Sequence, residues 1–325
     1  MSMPDFQLLR PTTAADAVAL RAANATSRYI AGGTDLLPNI RRGLMEPAVV
    51  IDLGGIAELT HIEFGNDVLR IGAGTTLAAI AGDAAIRTRL PALAEAAEAV
   101  AGPTHRAAAT LGGNLCLDTR CVYYNQSEYW RESNDYCMKL KGEGCRVAKK
   151  SKRCYAAFSG DVAPALIALD AEVEVLGPNG SRRVAIADFY RDDGMAWLTL
   201  GADELLTGVL IPLREGWSSA YEKVRVRGAI DFPLAGVAVA LKRKGNTIED
   251  LRIACTGVAS RPLAVEGLAE LKGKPLDADA LATITAQTEI AAGAMRTTVV
   301  DMLYRRGVAP VLARRIAERL WNSAA

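Results

Sequence analysis

"YIAGGTDLLP", residues 29–38, is an apolar strand that runs into two glycines, a hydroxyl and a carboxylate before a short helix begins. Glycine has no Cβ and tolerates positive φ, so successive backbone N–H groups there can converge on an anion such as a pyrophosphate. The N-terminus of the following helix adds its dipole. The competing reading is a tight turn with Thr34 or Asp35 as a helix N-cap. Neither the G-x-G-x-x-G dinucleotide spacing nor a P-loop occurs in the chain. A second stretch, "ATLGGNL" at residues 109–115, repeats the theme, with Gly112 and Gly113 flanked by Thr110 and Asn114. It offers close backbone approach together with one hydroxyl and one amide. Each stretch alone fits a structural turn; two such loops in one N-terminal region fit a ligand lying between two subdomains.

Outward from these loops the pattern is α+β. A helix over 12–25, a strand over 28–31, the glycine turn and an apolar strand over 48–53 make a first unit, residues 1–57. A second unit, 58–216, opens with a hairpin over 60–64 and 68–73 about Gly65-Asn66-Asp67, followed by an Ala/Leu-rich helical region over 76–100. It continues with a helix over 162–169, strands flanking the turn Gly177-Pro178-Asn179-Gly180, and a strand over 205–212. The last unit, 217–325, reads as a three-stranded antiparallel sheet (221–227, 234–242, 251–258) with helices over 278–292 and 298–320, whose apolar residues recur every three or four positions.

Composition narrows the function classes. A chain of 325 residues, half of them hydrophobic, folds into two or three domains, and a net charge of +1 gives no global field for nucleic acid or anionic lipid. No apolar window approaches a membrane span and no leader pattern opens the chain, so the expectation is a soluble, cytoplasmic protein with neither nucleic-acid nor membrane partner. Only His61 and His105 are present, which argues against histidine-built hydrolytic sites.

Taken together, Tyr29, Ile30, Ala31, Gly32, Gly33, Thr34, Asp35 and Leu36, then Thr110, Leu111, Gly112, Gly113 and Asn114, then Asp161 and the apolar helix after it, resemble the FAD-binding subunit of the molybdenum hydroxylases. That is the group of xanthine dehydrogenase and carbon monoxide dehydrogenase. The likeness spans nearly the whole chain and includes "YEKVRVRGAIDFPLAGVAVAL" at 221–241 and "YRRGVAPVLARRI" at 304–316. It implies that the first loop wraps the FAD pyrophosphate, that the Thr110–Asn114 loop lies by the flavin and ribityl region, and that Asp161 contacts FAD. It also implies that Leu206 and Lys223 sit close to the isoalloxazine ring, where a lysine would favour the anionic reduced flavin. As bare residues, Leu206 is an apolar strand position and Lys223 a solvated strand lysine.

One stretch is foreign to that pattern. "CVYYNQSEYWRESNDYCMKLKGEGCRVAKKSKRC", residues 121–154, carries Cys121, Cys137, Cys145 and Cys154 in the spacing C-x15-C-x7-C-x8-C, and reads as an insertion between the Gly-Gly-Asn loop and Asp161. A reducing compartment disfavours disulfides, and the absence of a C-x-x-C pair weighs against structural zinc. The spacing alone leaves open an iron–sulfur cluster, zinc or unligated thiols. An inserted four-cysteine loop in this type of subunit resembles the 4-hydroxybenzoyl-CoA reductase branch of the family, which implies a [4Fe–4S] cluster held by those four thiolates. Tyr123, Tyr124, Tyr129, Trp130 and Tyr136 could shield it. The resemblance further implies a hetero-oligomer with a molybdenum-cofactor subunit and a [2Fe–2S] subunit, with ferredoxin as electron donor. The expected activity is reductive removal of the phenolic hydroxyl of an aromatic acyl-CoA, with no substrate site and no catalytic residue on this chain. The seven basic residues between 139 and 153 fit either a solvated loop or a steering patch for an acidic ferredoxin. Cys116 and Cys255 read as small buried residues, although Cys116 is near enough in sequence to compete with Cys121. Two rival readings stand beside this one: an NAD-linked oxidising member with a zinc-stapled loop, and a non-catalytic module whose basic loop binds a macromolecule.

Overall fold

The computed structural model describes residues 3–323. A small parallel sheet opens the chain, built from β1 (Gln7–Leu9), β2 (Arg28–Ile30) and β3 (Val49–Asp52) in the order β1-β3-β2, with α1 (Ala14–Ala23) and α2 (Leu36–Arg41) as crossovers. Strand β1 is an addition to the sequence reading; at three residues, mostly exposed, it carries no periodic signal. Helix α1 begins where Thr13 accepts a hydrogen bond from the Asp16 N–H at 3.1 Å, which satisfies one of the orphan donors of its first turn.

The second layer is a five-stranded antiparallel sheet of β4 (Ile62–Phe64), β5 (Val68–Gly72), β6 (Glu172–Gly177), β7 (Gly180–Ala185) and β8 (Leu205–Pro212), ordered β4-β5-β8-β6-β7. Between β5 and β6 the chain packs α3 (Leu77–Gly82), α4 (Ala84–Arg89), α5 (Pro91–Ala99), α6 (Pro103–Ala108), α7 (Leu111–Leu115), α8 (Glu128–Glu132) and α9 (Val162–Ala168). The Ala/Leu run over 76–100 is thus three helices: Asp83 caps α4, accepting from Ile86 N–H at 2.8 Å, and Pro91 starts α5, where its missing donor costs nothing. The core of this layer is formed by Leu69, Ile71, Leu77, Ile80, Leu111, Leu115, Phe158, Leu166, Val173 and Val209.

The third unit is a sheet of four strands, one more than the sequence suggested: β9 (Trp217–Val224), β10 (Ala235–Lys244), β11 (Thr247–Thr256) and the two-residue β12 (Leu263–Ala264), ordered β12-β11-β10-β9 and all antiparallel. Helices α10 (Ala278–Ala291) and α11 (Met302–Ser323) cover one face through Ile284, Ala309, Leu312, Ala313 and Ile316. The other face meets α5 and α9 almost entirely through alanines: Ala92, Ala96, Ala165 and Ala168 against Ala238 and Ala240. Small side chains let these elements approach closely, and this brings the loop after β9 to the site. Among the described residues no helix is long and apolar enough to cross a membrane.

Candidate functional site

A cavity of about 750 Å³ lies where the three units meet. Tyr29, Ile30, Ala31, Gly32, Gly33, Thr34, Asp35 and Leu36 all line it, as do Thr110, Gly113, Asn114 and Asp161. The glycine loop is held against the second loop so tightly that a Cβ on Gly32 would stand 1.9 Å from the Ala108 carbonyl oxygen; Gly33 adopts φ +69°, a conformation that favours glycine. Asp35 occupies the N-cap position of α2, yet its carboxylate caps no backbone N–H of the helix and accepts only from the Asn39 side-chain amide, at 3.1 Å. It also pairs with the Arg120 guanidinium. Burial lowers the pKa of Arg120 to about 10. In the second loop Thr110 accepts from the Gly113 N–H at 3.1 Å, and the Asn114 side-chain oxygen accepts from the Val162 N–H at 3.1 Å, linking α7 to α9.

Four expected residues fall outside the cavity wall. Leu111 is buried in the core, and Gly112 is glycine because a Cβ there would stand 2.9 Å from the Ala73 Cβ. Leu206 is buried in the same core, paired across the sheet with Val175. Lys223 stands behind Asp161: its ammonium is 3.0 Å from the carboxylate, both side chains are 4% exposed, and the Tyr221 hydroxyl donates to the other side at 2.6 Å. Burial raises the Asp161 pKa and lowers that of Lys223, outweighing their mutual attraction.

Several cavity residues escaped the sequence reading. His105 Nδ1, Asp118 Oδ2, Arg120 Nε and Trp197 Nε1 are buried on this wall with no hydrogen-bond partner in the protein. Unsatisfied buried donors and acceptors are costly unless a ligand meets them. A glycine cradle, a 750 Å³ volume and these orphaned polar atoms together fit a large, polar, anionic ligand such as FAD. The loop over 227–232, which contributes Arg227, Ile230, Asp231 and Phe232, closes one side, with the Phe232 ring 4.8 Å from the Arg120 guanidinium. Of all these, only the rarity of histidine offered any signal in the sequence.

The cysteine insertion leaves the fold through a neck in which Arg120 and Ala157 exchange both backbone hydrogen bonds at 2.7 Å. Beyond that neck it is tied down at several points. The Val122 N–H donates to the Thr297 carbonyl at 2.7 Å, the fully buried Arg131 donates to the Arg42 and Gly43 carbonyls at 3.0 and 3.1 Å, and the Cys154 N–H donates to Asp193 at 3.1 Å. Cys121, Cys137, Cys145 and Cys154 are buried, unpaired by disulfides, and line one gap of about 10 Å³ together with Tyr123, Tyr124 and Met138. Cys116 lies on the large cavity instead, and Cys255 is buried in the third unit's core. Burial raises Cys121 to about 11 and Cys154 to about 12, so thiolates here need a compensating cation. Among the described residues no group of three or more His, Cys, Asp or Glu side chains is arranged to hold a metal ion. Buried thiols around one gap are the donor type that zinc and iron–sulfur centres both use. Of the aromatics, Tyr123 and Tyr124 face the thiols, Trp130 lies 6.3 Å from Tyr123, Tyr136 donates to Glu128 at 2.8 Å, and Tyr129 is 80% exposed.

Comparison with known proteins agrees with this geometry. A family described as the FAD binding domain in molybdopterin dehydrogenase matches residues 4–214, and one described as the CO dehydrogenase flavoprotein C-terminal domain matches 219–320. The carbon monoxide dehydrogenase medium chain of Afipia carboxidovorans is 32% identical, covering 97% of this chain and 96% of its own. The nicotine 6-hydroxylase medium subunit of Paenarthrobacter nicotinovorans is 30% identical over 97% of both. A solved structure of reconstituted CO dehydrogenase from Oligotropha carboxidovorans superposes with a TM-score of 0.80 at 30% identity, over 99% of each chain.

Proposed function

The chain belongs to the FAD-binding subunits of the molybdenum hydroxylase family, and on that premise we propose that it is the electron-transfer subunit of a molybdenum-containing 4-hydroxybenzoyl-CoA reductase, holding FAD and, in its insertion, a [4Fe–4S] cluster. In this reading its partners are a molybdenum-cofactor subunit and a [2Fe–2S] subunit, a ferredoxin supplies low-potential electrons, and the assembly removes the phenolic hydroxyl of 4-hydroxybenzoyl-CoA. One observation carries the reading: the four inserted cysteines line a single buried gap that shares two wall residues, Tyr124 and Lys139, with the FAD cavity.

When bound, the two groups supply electron transfer, one electron at a time at the cluster and one or two at the flavin, which lets a single-electron donor serve a two-electron reduction. The protein's own residues do the rest. Gly32 and Gly33 bring backbone N–H groups up to the pyrophosphate, and Thr110, Gly113 and Asn114 border the ribityl and flavin region. Asp161 accepts a polar group of FAD and is fixed for that task by Tyr221 and Lys223, at 2.6 and 3.0 Å. Leu206 backs the site from the core, and Lys223 acts on the flavin through Asp161. Cys121, Cys137, Cys145 and Cys154 supply the thiolates, and Tyr123 and Tyr124 keep water away from them. The exposed Lys149, Lys150 and Lys152 beside Cys154 offer positive charge to an acidic donor protein.

The named activities of the relatives, a hydroxylase and several dehydrogenases, favour a second reading, an oxidising member; in that alternative electrons pass to NAD and zinc staples the loop. Anaerobic purification with iron, sulfide, zinc and flavin quantified together separates the two. About four irons and one FAD per chain are expected. Zinc in place of iron would leave only the oxidising reading, and a colourless protein would remove both. Reassembled with its partners and a chemical reductant, the complex should release 4-hydroxybenzoyl-CoA's oxygen as water.

A further inference from the structure

Lys139 is buried in the wall between the two cavities and belongs to both of them. Its side chain is 6% exposed. The ammonium donates to Asp118 Oδ1 at 2.6 Å, to the Thr119 carbonyl at 3.1 Å and to the Thr119 hydroxyl, so every N–H it has is used. The ring of Tyr124 lies 4.6 Å from it and that of Trp197 5.1 Å, which brackets the charge with aromatic faces. A lysine held this way cannot swing to water, so its charge is a fixed part of the site. Asp118 is not its equal on both sides: the carboxylate borders only the FAD cavity, where its second oxygen has no partner in the protein, whereas the ammonium borders both. Tyr124 is the other residue common to the two walls, and a phenol carries no positive charge. Lys139 is therefore the single cation that both cavities share among the described residues.

We propose that Lys139 is a charge-setting residue common to the two redox sites, its ammonium stabilising the negative charge that reduction adds at either one. The inference rests on the FAD and [4Fe–4S] reading above. Reduction adds one unit of negative charge at the cluster and, as two electrons and one proton enter the flavin, one unit there; a fixed cation in a dry wall stabilises that charge, with Asp118 offsetting part of its field. A purely structural lysine would hold Asp118 and Thr119 in place and leave both reduction equilibria where they are.

The test is a mediated redox titration of the intact complex with dithionite as reductant, flavin followed by absorbance and iron–sulfur by electron paramagnetic resonance. It is run on wild type, Lys139→Met, Lys139→Arg and Asp118→Asn, after iron and FAD have been counted. In Lys139→Met both centres should become harder to reduce by at least tenfold, about 59 mV for the one-electron cluster and about 30 mV for the two-electron flavin, with Lys139→Arg close to wild type. Asp118→Asn, which removes the compensating carboxylate and leaves the ammonium, should move both potentials upward. If Lys139→Met fails to retain a cofactor, Asp118→Asn decides alone: an upward shift at both centres supports the proposal and no shift overturns it. Potentials unmoved in Lys139→Met with both cofactors present, or a shift at one centre only, also overturn it while leaving the functional reading intact. Absence of iron from the wild type removes both together.

Discussion

At the scale of single residues, the pair Asp161–Lys223 shows how a site can be built at the expense of stability. Both side chains are 4% exposed, and burial opposes each charge more than their 3.0 Å contact favours it, so the carboxyl's pKa is raised in the folded protein. A raised carboxyl pKa means that the folded state holds the proton more tightly than the unfolded chain does. The stability this contributes is fully present below the ordinary carboxylate range and is lost as pH rises through the folded value. Asp161→Asn removes that titration. Combined with Lys223→Met, so that no unpaired ammonium is left buried, the FAD-free variant should be at least as stable to urea at neutral pH as the wild type, and the wild type's stability relative to it should fall as pH rises through and just above the carboxylate range. Flavin affinity should drop in the same variant, since an amide cannot replace the charge. A loss of more than about 1 kcal/mol at neutral pH, on the scale of an ordinary hydrogen bond, would show that the ion pair stabilises the fold after all.

Elements explain how much of this was legible. The strand-to-glycine-to-helix stretch at 29–38 could be read because its chemistry is local: two missing Cβ atoms and a helix start are visible in ten letters. The same holds for β8, whose bounds follow from an apolar run that ends at Pro212. What was not legible depends on distant partners. Arg120 looks like an ordinary charge in the sequence, yet its ion pair with Asp35 joins residues 85 positions apart. The loop over 227–232 gains its place on the cavity from the packing of β9 and β10 against the alanines of α5 and α9, which no local pattern announces. Leu206 and Lys223 were placed near the ring by family likeness alone, and the sheet turns one into core and the other onto Asp161. The cysteine insertion is a separate element in the same sense. Its neck is closed by the reciprocal Arg120–Ala157 bonds, its ties run to Arg42, Asp193 and Thr297, and of its residues Tyr124 and Lys139 border the large cavity whereas Cys137 does not. Cys137→Ser should therefore abolish the iron–sulfur signal and leave FAD at one per chain, measured on one anaerobic preparation. Full iron retention would mean that Cys137 is not a ligand.

For the whole molecule, the cavity exists only where three units meet, so packing far from any ligand atom should control flavin binding. The joint between the second and third units is made of Ala92, Ala96, Ala165, Ala168, Ala238 and Ala240, with Tyr221 beside them, and it leaves no room for larger side chains. Ala238 sits opposite Tyr221 across the β9–β10 ladder, and Tyr221 in turn holds Asp161 at 2.6 Å. Ala238→Leu must push β9 and β10 away from α5 and α9, an overpacking cost of about 1–3 kcal/mol. The same shift carries Tyr221, Lys223 and the loop over 227–232 away from the cavity. Ala313→Leu is the matched control, because Ala313 is equally buried but lies between α11 and its own sheet, remote from the joint. Both variants should melt a few degrees below the wild type, while only Ala238→Leu should weaken FAD binding, by at least tenfold in a fluorescence titration. The two substitutions add the same atoms to cores of the same kind, so a difference in flavin affinity can arise only from where the strain is directed. Equal flavin affinity in both would mean that the third unit merely abuts the cavity; the expected split means that the sheet's position against α5 and α9 sets the geometry around Asp161.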